Sequence, residues 1–302
     1  MTCSKCGAEN PDIARFCGVC GEELEEPTQE LAADALGQYE PPPLRVIPVA
    51  RVGAKSDLGR VRENNEDKFE FYEPSKPEVM AGRGSVYVVC DGMGGHAAGQ
   101  IASELAAKTF LETYYRSGAG YIADAATAAV AAANRFVTDV AATITERRGM
   151  GTTLTALVLC QDQGLVVHVG DSRCYRLRDG EIEQVTTDHT WVEEQVALGL
   201  MTRDVAEHSP YAHVITRAIG ADPALRADLI SFTPQAGDKF LLCSDGLTNH
   251  VEGDEIGEHL QQFGPSDACW RLVNLALERG GSDNCTVLVV DLKSLDPVDL
   301  HP

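Results

Sequence analysis

Residues 86–96 read Val-Tyr-Val-Val-Cys-Asp-Gly-Met-Gly-Gly-His, an apolar run that ends at an aspartate and a glycine. A short apolar run bounded by turn-forming residues predicts a buried β-strand. A carboxylate directly after such a strand, beside a glycine that permits a sharp turn, projects from the end of a rigid sheet. Asp91 is therefore a candidate for a site at a sheet edge.

The same arrangement recurs in three other places. Asp171 and Asp245 also follow apolar runs with a glycine beside them, and Asp283 precedes one. A single Asp-Gly pair is ordinarily a surface turn, but a repeated set indicates a shared site. Several carboxylates at one sheet edge repel each other unless divalent cations neutralise them. Oxygen ligands with few His or Cys favour Mg²⁺ or Mn²⁺ over Zn²⁺, and two such ions can activate a shared water.

The surrounding pattern predicts an α+β fold, because strands, two helices and then many strands follow one another without regular βαβ alternation. The predicted strands are Val86–Cys90, Thr153–Cys160, Leu165–Val169, Phe240–Cys243 and Thr286–Val290. The predicted helices are Ala97–Tyr115, Tyr121–Arg147 with Gly149 as its stop, Trp191–Leu198 and Asp267–Glu278. Gly-Asp-Ser-Arg at 170–173 predicts a tight hairpin between Leu165–Val169 and Cys174–Leu177.

Charge and composition exclude several classes of protein. The formal net charge is −21, which argues against nucleic acid or an anionic membrane as a partner, because both need a basic face. The sequence has no apolar stretch of membrane-spanning length and no secretory signal pattern at its start. Scattered cysteines outside the first 20 residues predict reduced core thiols and a cytoplasmic location. They are Cys90, Cys160, Cys174, Cys243, Cys269 and Cys285.

The first 21 residues contain two Cys-x-x-Cys pairs, each followed by glycine. The four thiolates at Cys3, Cys6, Cys17 and Cys20 suit one structural, tetrahedral Zn²⁺. A segment of 21 residues cannot build a hydrophobic core, and the ion would therefore supply the free energy of folding. Two disulfides or a redox Cys-x-x-Cys pair are the alternatives. The segment resembles short bacterial zinc ribbons, for which docking to a protein partner is the expected role.

Domain boundaries follow from composition. Residues 1–21 form the predicted zinc ribbon, and residues 22–45 form an acidic, proline-containing linker with seven carboxylates at 22–40. Continuous apolar periodicity predicts one catalytic domain over residues 46–293. Residues 294–302 are predicted to be a polar, frayed tail.

Five motifs in this order resemble the metal-dependent Ser/Thr protein phosphatases of the PPM (type 2C) family, in their bacterial form. They are Ser56-Asp57-x-Gly59-x-x-Arg62-x-x-Asn65-Glu66-Asp67, Asp91-Gly92-Met93-Gly94-Gly95-His96, Val169-Gly170-Asp171-Ser172-Arg173, Ser244-Asp245-Gly246 and Gly281-Ser282-Asp283-Asn284. The resemblance extends over roughly residues 49–291. It implies two packed antiparallel β-sheets flanked by α-helices, a four-layer αββα sandwich, preceded here by the small zinc ribbon.

The resemblance also implies a role for each motif residue. The implied ligands of two, or three, Mn²⁺ or Mg²⁺ ions are Asp91, the Gly92 carbonyl, Asp245, Asp283 and, for a third and weaker ion, Asp171. Asp91 would bridge two ions, and Glu66 and Asp67 would hold waters around them. Arg62 would bind phosphate, which suits a planar guanidinium that can contact two phosphate oxygens.

The implied reaction is hydrolysis of phosphoserine or phosphothreonine by a water that two metal ions activate. The implied partners are phosphorylated proteins, among them bacterial Ser/Thr kinases or their substrates. Two alternatives stay open: a catalytically weak phospho-binding scaffold, and a phosphatase of a small phosphorylated molecule. A Cys-x5-Arg loop is absent from the sequence, so a cysteine-nucleophile mechanism has no support.

One position departs from the eukaryotic members of the family, which have His directly after Asp-Gly. Met93 stands there in this chain, and His96 follows three residues later. His189 is expected to form hydrogen bonds in a loop instead of acting in catalysis. The polar stretch between Asp188 and Arg217 corresponds to a flap beside the active site, where substrate choice would lie.

Overall fold

In the computed structural model, which describes residues 41–94 and 98–298, the strands form two antiparallel sheets. The predicted zinc ribbon with its four cysteines, linker residues 22–40, residues 95–97 with His96, and the end of the tail lie outside the described residues. Sheet A contains, in spatial order, β1 (Val46–Asp57), β11 (Cys285–Pro297), β10 (Lys239–Cys243), β7 (Arg173–Arg178) and β8 (Glu181–Gln184). Sheet B contains β2 (Asp67–Tyr72), β3 (Ser85–Met93), β5 (Leu154–Cys160), β6 (Gln163–Val169) and β9 (Asp228–Phe232), and β4 (Gly151–Thr152) pairs with β3.

Helices cover the outer face of each sheet. On the side of sheet B lie α1 (Pro77–Gly82), α2 (Ala98–Arg116) and α3 (Ile122–Thr143). On the side of sheet A lie α6 (Asp245–Thr248), α7 (Gly253–Gln262) and α8 (Pro265–Glu278). Two short helices, α4 (Trp191–Ala197) and α5 (Arg203–Glu207), belong to the segment between β8 and β9. The predicted four-layer αββα sandwich is thereby confirmed.

The alternation of side chains in the central strands explains the layers. In β3, Val86, Val88 and Cys90 pack against the helices, whereas Tyr87 and Val89 lie between the two sheets. Successive residues of a strand point to opposite faces, so a strand that is apolar throughout serves two cores. On the helix side the matching surface of α2 and α3 is rich in alanine, which lets the helices approach the sheet closely.

Most of the predicted elements are confirmed, with shifts at their ends. The second predicted helix is shorter than expected: α3 ends at Thr143 because Ile144 is extended (φ −112°, ψ 112°), well before Gly149. Residues 294–297 continue β11 and pair with the start of β1, so this part of the expected frayed tail is a strand. Among the described residues no helix is both long and apolar enough to span a membrane. The six scattered cysteines are buried and unpaired, as predicted.

The predicted hairpin at residues 170–173 is wrong. β6 pairs with β5 and β9 in sheet B, whereas β7 pairs with β10 and β8 in sheet A. Both edges of β6 are occupied, so the chain crosses from one sheet to the other instead of turning back. The crossover places Asp171 at the junction of the two sheets.

Candidate active site

The strand register brings the predicted carboxylates to one end of the sandwich. In sheet B, Asp67 at the start of β2 lies directly opposite Asp91 near the end of β3. In sheet A, β10 ends at Cys243 and β11 begins at Cys285, so Asp245 and Asp283 flank neighbouring strand ends. Asp171 joins them from the crossover. Residues that are far apart in sequence therefore converge because their strands end at the same edge.

A cleft of about 660 Å³ opens at this edge. Its lining includes the sequence-predicted residues Arg62, Glu66, Asp91, Gly92, Asp171, Asp245 and Asp283. Glu63, Asn64, Met93, Gly94, His213, Ile215 and Asn284 complete it. Asp67 is the exception among the predicted residues that the structure describes. It lies behind the cleft and lines a second, smaller cavity of about 300 Å³.

The carboxyl groups of the cleft lie close together and are poorly solvated. Burial, together with Asp67 and Asp245, raises the pKa of Asp91 well above its usual value. Burial and the charge of Asp245 raise the pKa of Asp171 to about 7, and burial also raises the pKa of Asp245. Both causes penalise the ionised form. A positive charge placed among these groups would remove the penalty, which makes the cleft a favourable place for a cation.

Asp67 contributes a buried carboxylate oxygen without a hydrogen-bond partner among the residues that the structure describes. Its Oδ2 accepts a 2.6 Å hydrogen bond from the Ser244 hydroxyl, while Oδ1 is buried and meets no hydrogen-bond partner in residues 41–94 and 98–298. Burial raises the pKa of Asp67 to about 7. Leaving a carboxylate oxygen buried and unsatisfied is costly. This orphaned oxygen, next to a set of oxygen-only side chains, fits a site for hydrated hard cations.

The carboxylates surround the cleft without meeting at one point. In residues 41–94 and 98–298, no three His, Cys, Asp or Glu side chains converge closely enough to enclose an ion by themselves. Ions seated here would therefore need backbone and water oxygens as further ligands. Gly92 forms part of the cleft wall and has only backbone atoms to present, which suits such a mixed ligand set.

Arg62 is the cationic group of the cleft wall. Its Nη2 donates a 2.6 Å hydrogen bond to Asp283, and this contact raises the pKa of the guanidinium. The Arg62 side chain is 53% exposed, so much of its donor fork faces solvent. It can therefore meet an anion that enters the cleft.

Two supporting side chains were not assigned a role by sequence reasoning. The Thr153 hydroxyl accepts the backbone N–H of Asp91 at 2.8 Å. The Asn284 side chain accepts the N–H of Glu66 at 2.8 Å and donates to the carbonyls of Leu58 and Asn64. Asn284 belongs to the last of the five motifs, but both residues act through backbone contacts between distant segments, which the local sequence does not specify. They hold the loops that carry the candidate ligands.

Close packing explains one glycine of the central motif. A side chain at Gly92 would place its Cβ 2.1 Å from the carbonyl oxygen of Gly99 in the first turn of α2. A Cβ at Gly99 would in turn lie 2.1 Å from Oε2 of Glu66. Glycine at both positions lets the end of β3, α2 and the Glu66 carboxylate approach one another.

The predicted flap lies beside the cleft. His213 and Ile215, near its C-terminal end, line the cleft wall. Sequence reasoning did not single out either residue, because no motif surrounds them. The remainder of the segment includes α4, α5 and the edge-to-face pair of Trp191 and Tyr211, with ring centroids 5.5 Å apart.

Comparison with protein-family models finds two matches. Residues 61–274 match the model described as protein phosphatase 2C, which covers most of the described chain. Residues 2–24 match a zinc-ribbon domain. The second match covers the four cysteines that were predicted to bind zinc, although they lie outside the described residues.

Individual proteins give the same result. The serine/threonine protein phosphatase PstP of Mycobacterium tuberculosis is 39% identical over 258 residues, which cover 85% of this chain and 48% of PstP. The chain thus spans about half the length of this curated relative. The serine/threonine phosphatase stp of Listeria monocytogenes is 33% identical over 242 residues, which cover 78% of this chain and 94% of stp. The crystal structure of the PstP catalytic domain in complex with two manganese ions superposes with a TM-score of 0.70 at 38% identity, covering 82% of this chain and 99% of that one.

Proposed function

The chain belongs to the protein phosphatase 2C family, and from this premise we propose that it is a metal-dependent protein phosphatase that hydrolyses phosphoserine and phosphothreonine. The observation that carries the proposal is the convergence of Asp91, Asp171, Asp245 and Asp283 on one cleft with Arg62 on its wall. A phosphoryl group needs cations on its oxygens and an activated water. This cleft supports both requirements.

Two Mn²⁺ or Mg²⁺ ions, with a third more weakly held, are the proposed occupants. Asp91 and the carbonyl of Gly92 would hold one ion, Asp91 would be shared with a second, and Asp245 and Asp283 would complete the second site. Asp171 is the proposed ligand of the third ion. Divalent cations bound here would polarise the phosphoryl group and lower the pKa of a nearby water. The orphaned Oδ1 of Asp67 and the raised pKa values of the cleft carboxylates support this assignment.

The chain's own side chains supply orientation and charge. The exposed guanidinium of Arg62 can rotate from Asp283 to a phosphate and make two parallel hydrogen bonds. Glu66, held by its backbone contact to Asn284, is a proposed acceptor for waters around the ions. Met93, directly after Gly92, carries no proton to donate to the leaving alkoxide.

The proposed physiological substrates are phosphorylated proteins, including Ser/Thr kinases or their targets. Arg62 and bound cations must capture them, because the chain's formal charge of −21 repels phosphate at long range. We expect the enzyme to work in a reducing compartment such as the cytoplasm, since its described cysteines are buried and unpaired. The zinc ribbon would hold one Zn²⁺ and dock a protein partner through a linker over residues 22–45. The catalytic domain would span residues 46–293.

The test is phosphate release from a phosphothreonine peptide with Mn²⁺, with EDTA, and with Asp245→Asn in Mn²⁺. Release by the wild-type protein with Mn²⁺, and its loss in the other two arms, is expected. Asp254→Asn makes the same change at an exposed position of α7 and should retain activity. Equal release in all arms would rule out the metal-dependent reaction. Faster release from a panel of small phosphorylated metabolites than from the peptide would instead favour a small-molecule phosphatase.

A further inference from the structure

The turn that carries Asp171 is not part of a strand ladder. It is the crossover Gly170–Ser172 between β6 and β7. Gly170 has φ +107°, and a Cβ there would lie 2.5 Å from Cγ2 of Thr153. The turn therefore depends on contacts from other segments to keep its shape. The same contacts determine the position of the Asp171 carboxylate.

Two consecutive residues, Asp188 and His189, hold the two ends of this turn. The Asp188 carboxylate accepts hydrogen bonds from Nε of Arg173 at 2.9 and 3.0 Å and from Nη2 at 2.7 Å. The Gly170 N–H donates to Nδ1 of His189 at 3.1 Å, and the His189 N–H donates to the Gly170 carbonyl at 2.7 Å. Asp171 is thereby fixed between a fork-shaped ion pair and a doubly hydrogen-bonded histidine.

The contacts define the protonation state of His189. Because Nδ1 accepts the Gly170 N–H, the neutral ring carries its proton on Nε2, which donates to Oδ2 of Asp228 at 3.1 Å. Arg217 Nη1 donates to the other oxygen of Asp228 at 3.0 Å and also lies 3.2 Å from Nε2 of His189, so the two donors lie side by side and share Asp228 as their acceptor. Burial lowers the pKa of His189, in keeping with a neutral ring. A second ring proton would point at the Gly170 N–H and break the contact.

The same histidine begins the flap. The Thr216 N–H donates to the His189 carbonyl at 2.8 Å, and the Trp191 N–H donates to the Val214 carbonyl at 2.8 Å. These contacts join the two ends of the segment next to Ile215, which lines the cleft. One residue thus contacts the Asp171 turn on one side and the base of the flap on the other.

We propose that His189 is a positioning residue that sets the place of the Asp171 carboxylate and thereby the affinity of the cleft for its most weakly bound divalent cation. The proposal rests on the proposed function, because it assumes that the weakly bound cation is Mn²⁺. The contact that matters is the one from Gly170 to Nδ1. The contact to Asp228 fixes the tautomer that makes Nδ1 an acceptor.

Two substitutions separate these contacts. In His189→Asn the amide oxygen can take the place of Nδ1 as acceptor for the Gly170 N–H, but the shorter side chain cannot reach Asp228. In His189→Gln the longer amide can reach Asp228, but Gly170 loses its acceptor. Asp162→Asn, just before the opposite end of β6, is the matched control for general effects on this strand. Binding is measured by titrating Mn²⁺ and following the electron paramagnetic resonance signal of the free ion.

The weakest Mn²⁺-binding event should weaken about tenfold or more in His189→Gln and by less than about threefold in His189→Asn, with Asp162→Asn unchanged. Equal Mn²⁺ binding in folded His189→Gln and wild-type protein would overturn the proposal. So would equal weakening in both histidine variants, which indicates a merely structural role. If the wild-type protein binds Mn²⁺ but releases no phosphate from the peptide, the proposed function is wrong. The comparison of Mn²⁺ binding among the variants would still test the role of His189.

A measurement on the wild-type protein covers the case in which His189→Gln does not fold. Nitrogen-15 NMR of the imidazole should show the neutral ring with its proton on Nε2, and a hydrogen-bond scalar coupling between the Gly170 amide and Nδ1 of His189. Titration with diamagnetic Mg²⁺ should shift the Gly170 amide resonance. A proton on Nδ1, or a Gly170 amide that does not respond to Mg²⁺, would refute the positioning role.

Discussion

The guanidinium of Arg62 and the carboxylate of Asp283 form a 2.6 Å ion pair across the cleft wall. The proposed phosphate-binding group and a proposed metal ligand therefore neutralise each other. A cation at Asp283 and a phosphate at Arg62 would each compete with this pair, so ion binding and substrate binding are expected to favour one another.

Arg62→Ala tests this relationship. We expect kcat/KM for a phosphothreonine peptide to fall about 10- to 100-fold at saturating Mn²⁺, since a charge-assisted hydrogen bond contributes about 1.5–3 kcal/mol. Calorimetric titration should show tighter Mn²⁺ binding, because Asp283 loses its competing partner. Arg60→Ala removes a neighbouring exposed arginine that does not line the cleft and should change neither quantity. Weaker Mn²⁺ binding in Arg62→Ala would contradict the idea that Arg62 and the cation compete for Asp283.

Asp171→Asn should make the ion-free protein more stable while impairing catalysis. The pKa of Asp171 is raised to about 7, so the folded protein holds this proton more tightly than the unfolded chain. The contribution of Asp171 to wild-type stability in EDTA is therefore expected to become more favourable as the pH falls through 7. At pH 8 the variant should gain about 1–3 kcal/mol in free energy of unfolding, and at pH 5 a smaller amount, because the folded carboxyl is already protonated there. Urea denaturation at both pH values, with Asp162→Asn as control, measures the gain; a loss of stability at pH 8 would refute it.

His168 is expected to lower the stability of the protein as the pH falls, which is opposite to the effect of Asp171. It is fully buried, with Nδ1 at 3.0 Å from the Thr155 hydroxyl and Nε2 at 3.1 Å from the Thr187 carbonyl. Burial lowers its pKa to about 3, so below about pH 6.5 the unfolded chain takes up a proton that the folded protein does not. The contribution of His168 to stability is lost as the pH falls, by about 2 kcal/mol at pH 5.

His168→Gln should therefore be less stable than wild-type protein at pH 7.5 but should lose less stability between pH 7.5 and pH 5. Urea denaturation in EDTA gives the two differences. The exposed His208→Gln substitution should behave like the wild-type protein at both pH values. An identical pH slope in His168→Gln and wild-type protein would show that His168 does not carry this effect.

Removal of residues 1–43 should leave hydrolysis of the phosphothreonine peptide within about twofold of the full chain. All strands of the two sheets that the structure describes begin at or after Val46, and β1 pairs along its length with β11. Steady-state kinetics on both proteins provide the comparison. Complete loss of activity in a folded truncation would place the domain boundary elsewhere.

The full chain should contain about one Zn²⁺ that the double substitution Cys17→Ser, Cys20→Ser removes. Four thiolates at two Cys-x-x-Cys pairs suit a closed tetrahedral site, and two of them cannot hold it. Elemental analysis after dialysis measures the ion, and peptide hydrolysis should be unchanged. Retention of zinc in the double variant would contradict the assignment of these ligands.

Much of the site was predictable because its chemistry is local in sequence. Asp91, Asp245 and Asp283 adjoin apolar runs, and a strand end can be recognised from its own residues. The supporting contacts could not be predicted in the same way. Thr153, Asn284 and His189 act on Asp91, Glu66 and Gly170, and these partners lie on separate segments of the chain.

The continuous apolar run of Val86–Cys90, the alanine-rich helices and the carboxylates at strand ends could be predicted from the sequence, because periodicity and turn residues act over short distances. The pairing of the strands, by contrast, depends on packing between distant segments of the folded protein. Gly-Asp-Ser-Arg suits a hairpin locally, yet both edges of β6 are already occupied, so the chain crosses between sheets. That crossover brings Asp171 into the cleft, since packing between distant segments outweighs a local turn preference.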